Sequence, residues 1–236
     1  MMHRTRIKIC GLTRPEDVQG AVAAGADALG FVFYPASPRC VAPRTAAQLI
    51  ALVPPFVTTT GLFVNAGLDE VRQTVAEAPV AMLQFHGDES AAECAAIAEA
   101  VNRPFLRALR IEPQAAAADL LEYESDYRAA SPLFAGLLLD AFVDGYGGGG
   151  KVFDWSVIPA NLAPRVVLSG GLSAQNVADA VTRVRPHAVD VSSGVESGKG
   201  IKDVAKIRAF IDAVRTADAV SQQNPQQNPQ HPQQNP

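Results

Sequence analysis

Short apolar runs alternate with segments of helical period along almost the whole chain. The apolar runs are Arg6–Cys10, Ala28–Phe33, Thr58–Val64, Ala81–His86, Phe105–Arg110, Leu137–Asp140, Val166–Ser169 and Ala188–Ser192. Nearly all their positions are apolar, rather than every second one, which predicts strands buried on both faces of a parallel sheet. Helix-period segments follow over Glu16–Ala24, Leu68–Ala78, Ser90–Val101, Ser173–Val184 and Lys202–Val214. Thr13-Arg14-Pro15 reads as a cap followed by a first-turn proline, and Ser173 as a serine cap. Strand ends recur roughly every 22 to 31 residues, the length of one strand–loop–helix unit. Eight such units over about 215 residues predict an α/β protein, a single-domain (β/α)8 (TIM) barrel.

An open doubly wound sheet is the rival arrangement. It normally uses fewer strands, and its nucleotide-binding form carries G-x-G-x-x-G after the first strand. This chain has Cys10-Gly11-Leu12-Thr13 there, so the barrel is the expected fold. Residues 1–215 are assigned to the barrel and 216–236 to a low-complexity tail, where Gln-Gln-Asn-Pro repeats after Ser221. Frequent proline and a lack of core-forming side chains to offset chain entropy predict disorder in that tail.

Composition narrows the function. Of 236 residues, 48% are hydrophobic and 19% charged, a globular balance that fills one large domain without disulfide or metal braces. A formal net charge of −4 gives no basic face for nucleic acid or an anionic membrane. No run approaches the roughly 20 apolar residues of a membrane helix, and Ile7–Cys10 is too short for a signal-peptide core. A cytoplasmic protein is expected. Cys10, Cys40 and Cys94 are scattered and form no C-x-x-C pair, so neither a disulfide framework nor a zinc or redox site is expected.

In such a barrel the active site lies at the C-terminal ends of the strands. Polar residues there are Cys10, Arg39, Asn65, His86, Arg110, Asp140, Ser169-Gly170-Gly171 and Ser192-Ser193-Gly194. The two Ser/Gly turns follow strands seven and eight, where barrels commonly bind phosphate through exposed N–H groups. Gly170, Gly171, Ser193 and Gly194 are therefore candidate phosphate ligands; the plainer alternative is that the glycines only form tight turns. Asp140 follows three leucines, a setting in which a carboxylate must be hydrogen-bonded, solvated or functional. Cys10 is either a catalytic thiol or an inert buried one. His86 reads as a substrate-pocket hydrogen-bonder rather than a metal ligand, and Asp190, inside strand eight, either as structural or as a support to a residue that touches substrate. Cys40 and Cys94 are read as structural. Gly145–Lys151 fits G-x-x-x-x-G-K, but Val152 stands where Ser or Thr must hold Mg²⁺. Its four consecutive glycines predict instead a flexible loop over the site.

Several motifs then occur in a telling order. They are Lys8-Ile9-Cys10-Gly11-Leu12, Gly30-Phe31-Val32-Phe33 with Ser37-Pro38-Arg39, Gly61-Leu62-Phe63-Val64-Asn65 and Leu83-Gln84-Phe85-His86-Gly87. Leu139-Asp140, Gly147–Lys151 with Phe153-Asp154-Trp155, Leu168-Ser169-Gly170-Gly171-Leu172 and Asp190-Val191-Ser192-Ser193-Gly194-Val195-Glu196 complete the set. From residue 7 to about 214 the chain resembles the phosphoribosylanthranilate isomerases of tryptophan biosynthesis. It departs from them in the Gln/Asn/Pro tail and in the all-glycine run, where the family often has threonine before the last glycine.

The resemblance implies a cofactor-free Amadori rearrangement of N-(5-phosphoribosyl)anthranilate to 1-(2-carboxyphenylamino)-1-deoxy-D-ribulose 5-phosphate. It matches Asp140 to the general acid at the ring oxygen, Cys10 to the general base at sugar C2, and Arg39 to the anthranilate carboxylate. A free Asp titrates near about 3.9 and a free thiol near about 8.5, so the pair needs opposite tuning at neutral pH. The expected partner is a phosphorylated small molecule, with no metal, nucleic acid or membrane, in a monomer or homodimer. The similar barrel isomerase of histidine biosynthesis places Asp rather than Cys at the end of strand one. A non-catalytic phosphate-binding barrel would have no reason to keep Cys10 and Asp140 together.

Overall fold

Eight parallel strands close into a barrel in sequence order in the computed structural model, which describes residues 4–112, 114, 116–141 and 152–223. They are β1 (Arg6–Cys10), β2 (Ala28–Val32), β3 (Thr58–Phe63), β4 (Met82–Phe85), β5 (Phe105–Ile111), β6 (Phe134–Ala141), β7 (Val167–Leu168) and β8 (Ala188–Val191). The ring closes where β1 pairs with β8, Lys8 opposite Asp190. Around it lie α1 (Pro15–Ala24), α2 (Pro43–Ile50), α3 (Leu68–Glu77), α4 (Ala91–Val101), α5 (Ala117–Ala130), α6 (Val177–Val184) and α7 (Val204–Gln223). Between β6 and β7 the described residues hold two short 3-10 turns, Trp155–Val157 and Ala163–Arg165, and no α-helix. A small antiparallel hairpin, β9 (Glu196–Gly198) and β10 (Ile201–Lys202), separates β8 from α7. No helix among the described residues is long and apolar enough to cross a membrane.

The unbroken apolar runs have a direct structural counterpart. One face of each strand packs outward against the helices in the main core, which includes Ile7, Ile9, Leu29, Phe31, Phe63, Phe85, Phe105, Leu139 and Val189. The opposite face fills the barrel, where Leu106, Ala108, Leu138, Val167 and Ala188 form a separate buried cluster with Met82 against it. With both faces buried, alternation is absent from the sequence.

Three local expectations are corrected. Thr13 does not cap α1; its Oγ1 donates to Gly200 O at 2.6 Å, and Pro15 opens the helix after Arg14 without a side-chain cap. Ser173 does not cap α6, which starts at Val177; Asn176 Oδ1 instead accepts from Ser173 N at 2.8 Å. The domain boundary drawn at 215 falls inside α7. That helix buries Ile207, Phe210, Ile211, Val214 and Ala217 along one stripe, so its apolar face runs past the proposed break. Asp218 then accepts from Thr5 N and Thr5 Oγ1, each at 2.8 Å, tying the helix to the start of β1. Residues 224–236, most of the expected tail, lie outside the described residues.

Candidate active site

Side chains alternate across a strand, so residues two apart share a face. One step beyond the apolar floor of Met82, Leu138, Val167 and Ala188 come Gln84, Asp140, Ser169 and Asp190. A polar layer therefore sits above the floor, at the C-terminal rim of the barrel.

Cys10 ends β1 in this layer, buried to 4% exposure. Burial pushes its thiol up from the ordinary range; Lys8 and Lys202 oppose that rise and Asp190 adds to it. Lys8 Nζ donates to Asp190 Oδ1 at 2.8 Å, and Ser169 Oγ donates to Asp190 Oδ2 at 3.3 Å.

Asp140 Oδ2 lies 3.2 Å from His86 Nε2, and its Oδ1 accepts from Ala141 N at 2.9 Å. His86 Nδ1 is 3.2 Å from Gln84 Nε2, while Gln84 Oε1 is buried with no partner among the described residues. Gly170 holds a left-handed φ of 83° beside Asp140. A Cβ there would stand 2.2 Å from Ala141 N and 2.8 Å from Asp140 Oδ1, so only glycine lets this turn pass so close to the carboxylate.

Arg39, from the loop after β2, sets its Nε and Nη2 on Glu196 Oε1 and Oε2 at 2.7 and 2.8 Å. Lys202 Nζ donates to the same Glu196 Oε1 at 2.9 Å, to Ser192 O at 3.1 Å and to Ser192 Oγ at 3.2 Å. Burial alone would raise the Glu196 carboxyl, but Arg39 and Lys202 hold it below its usual range. The Lys202 ammonium is pushed down by burial, which Glu196 offsets in part.

The turns after β7 and β8 form one surface. A Cβ on Gly194 would fall 2.0 Å from Leu172 O, so the second turn is seated directly on the first. Ser193 and Gly194 lie in a short 3-10 turn, Ser193–Val195, rather than at the start of an α-helix. Gly170 and Gly171 are separated from α6 by an intervening turn.

The rim thus carries Cys10, Asp140, His86, Arg39, Gly170, Gly171, Ser193 and Gly194 on the ends of the strands or the loops that follow. Among the described residues, no group of three His, Cys, Asp or Glu side chains could hold a metal ion. Gly145–Lys151 lies outside the described residues. Lys8, Gln84, Glu196 and Lys202 received no role from the sequence. The inward parity of Lys8 with Cys10 was a usable signal, whereas Lys202 depends on a hairpin that the hydrophobic pattern does not reveal.

Residues 7–213 match the family described as N-(5'-phosphoribosyl)anthranilate (PRA) isomerase. The chain belongs to this family. An N-(5'-phosphoribosyl)anthranilate isomerase from Herminiimonas arsenicoxydans is 74% identical over 222 residues, 94% of this chain and 98% of that one. Phosphoribosyl anthranilate isomerase from Thermotoga maritima superposes with a TM-score of 0.79 at 40% identity, covering 90% of this chain and 99% of that one. A phosphoribosyl anthranilate isomerase solved in complex with reduced 1-(o-carboxyphenylamino)-1-deoxyribulose 5-phosphate gives 0.73 at 35% identity, with the same two coverages. The phosphoribosylanthranilate isomerase match takes in every candidate site residue and ends before Asp218.

Proposed function

We propose that this chain catalyses the phosphoribosylanthranilate isomerase step of tryptophan biosynthesis, with Asp140 as general acid and Cys10 as general base. The observation that carries the roles is the shared rim. Cys10 ends β1 and Asp140 is the last residue but one of β6, beside two glycine turns packed into one surface.

Phosphate is held by N–H groups of Gly170, Gly171, Ser193 and Gly194. Asp140 gives its proton to the furanose ring oxygen; the C1–O bond breaks and the anilino nitrogen lone pair forms a C=N bond. The Cys10 thiolate then takes the proton from C2, and the electrons close a C1=C2 bond, giving an enolamine. Proton return to C1 yields the C2 ketone. His86, 3.2 Å from Asp140 Oδ2, fixes the direction of the carboxyl. Arg39 meets the anthranilate carboxylate with its Nη1 edge, since its Nε and Nη2 engage Glu196.

The test is loss of substrate fluorescence on adding the purified protein to phosphoribosylanthranilate. Turnover is expected with that substrate and not with the aminoaldose phosphate of histidine biosynthesis. No loss of fluorescence would end this reading, and equal turnover of both would make the enzyme dual-substrate.

A further inference from the structure

Lys8 places a charge inside the barrel that no step above uses. It precedes Cys10 by two residues on β1, so both side chains point inward. The residue is buried, and its Nζ reaches Asp190 Oδ1 across the β1–β8 seam at 2.8 Å. Gly30 of β2 marks where thiol and ammonium meet. A Cβ at Gly30 would sit 2.7 Å from Cys10 Sγ and 3.1 Å from Lys8 Nζ. The two atoms therefore lie within about 6 Å, the range over which one charge stabilises its opposite.

We propose that Lys8 is a positioning residue for Cys10, an ammonium set between thiol and Asp190 that favours the thiolate, with Asp190 governing how much of its charge the thiol receives. The proposal rests on the reading of Cys10 as the base. Stability alone is a poor account of the pair, because a buried ion pair is often no better than apolar residues of like volume.

Lys8 keeps its charge. Burial works to lower its pKa, but Asp190 and the Cys10 thiol outweigh burial and hold it above the ordinary lysine range. The other charges facing Cys10 are Lys202 from β10 and Arg39 from the loop after β2, both tied to Glu196. From β2 the facing residue is Gly30, which brings no charge. Lys8 is the largest influence opposing burial, and Asp190 acts against it.

The test reads the thiol without turnover. Alkylation of the folded enzyme by iodoacetamide is followed across pH, with mass spectrometry of the peptide bearing Cys10; exposed Cys40 serves as internal control. Lys8→Met is expected to raise the Cys10 midpoint by about one pH unit or more, roughly tenfold slower alkylation near neutrality. Asp190→Asn should lower the midpoint, because Lys8 then serves the thiol alone. The double variant Lys8→Met/Asp190→Asn leaves no unpaired charge if a single variant fails to fold. Its midpoint should lie above wild type and below Lys8→Met. Single variants that move the midpoint in the same direction, or not at all, overturn the proposal, as does a double variant at or below wild type. Full turnover by Cys10→Ser would instead remove the base assignment and leave these midpoints standing, so the two failures are distinct.

Discussion

Cys10 needs the small size of a thiol at the end of β1 and also its acidity. Serine keeps the first and loses the second, since an alcohol is a far weaker acid. Cys10→Ser is therefore expected to bind substrate normally and to lose about a hundredfold or more in kcat. Steady-state assays decide this, and a variant keeping more than about a third of wild-type kcat would remove Cys10 from the base role. Arg39 raises a different question, because its Nε and Nη2 are spent on Glu196. Lysine cannot hold Glu196 and an anthranilate carboxylate together, as its single ammonium lacks the planar fork. Arg39→Lys should cost about 1.5 to 3 kcal/mol, roughly ten- to a hundredfold in kcat/KM, mostly through KM. On a substrate analogue lacking the carboxylate, mutant and wild type should perform almost equally. Equal impairment there would show that Arg39 acts only by anchoring its loop through Glu196. At this scale the sequence supplied the side chains within one residue of a strand end, Cys10, Asp140 and His86, because strand ends were legible to that precision. It did not supply Glu196 and Lys202, whose roles come from meeting Arg39 across residues distant in the chain.

Elements were legible where burial left a one-sided signature. The eight apolar runs became the eight strands with shifts of a few residues, and the Ser90–Val101 segment became α4 with Ser90 and Glu93 forming a capping box. In two helices the signature was too weak to read. α5 is rich in charge, and its buried stripe of Leu120, Glu124 and Tyr127 carries a glutamate where the pattern would need an apolar residue. α2 is only 8 residues long, beginning at Pro43. The end of α7 was lost for another reason: Gln and Asn composition marks the repeat after Ser221, but the helix before it is held by Ala217 and Asp218. Truncation after Ala217 is consequently expected to destabilise the barrel. Losing the two Asp218 bonds leaves Thr5 unsatisfied, at about 1 to 3 kcal/mol, which lowers Tm by several degrees in a domain of this size. Asp218→Ala should reproduce most of that loss, whereas truncation after Gln223 should leave Tm and kcat within error. An unchanged Tm after truncation at Ala217 would mean that Asp218 contributes nothing to closure.

Across the whole molecule, Glu196 joins three segments that the sequence separates: the loop after β2 through Arg39, the turn after β8 through its own backbone, and β10 through Lys202. Lys202 also reaches back to Ser192, just past the end of β8, and its backbone N donates to Asp17 of α1 at 3.2 Å. The turn after β8 and the Arg39 loop are thus fastened by one carboxylate, and that fastening depends on charge. Folding lowers the Glu196 pKa, with Arg39 and Lys202 outweighing burial. A group depressed on folding stabilises the native state above its unfolded value, about 4.3 for Glu, and loses that contribution as pH falls through the folded value. Glu196→Gln removes the charge at every pH and leaves the buried Lys202 and the partly buried Arg39 without their anionic partner. Near pH 7 it should destabilise by about 3 kcal/mol, the scale of breaking a buried pair. As pH falls below the unfolded value and on through the lowered folded one, wild-type Glu196 takes up its own proton and the two proteins should converge in stability. Urea unfolding of both at a series of pH values measures the gap, with all other carboxylates common to the pair and cancelling in the difference. A gap that stayed constant down to about pH 3 would show that the charge of Glu196 is not what holds these loops. A gap that closes would place the acid sensitivity of the rim in this one carboxylate.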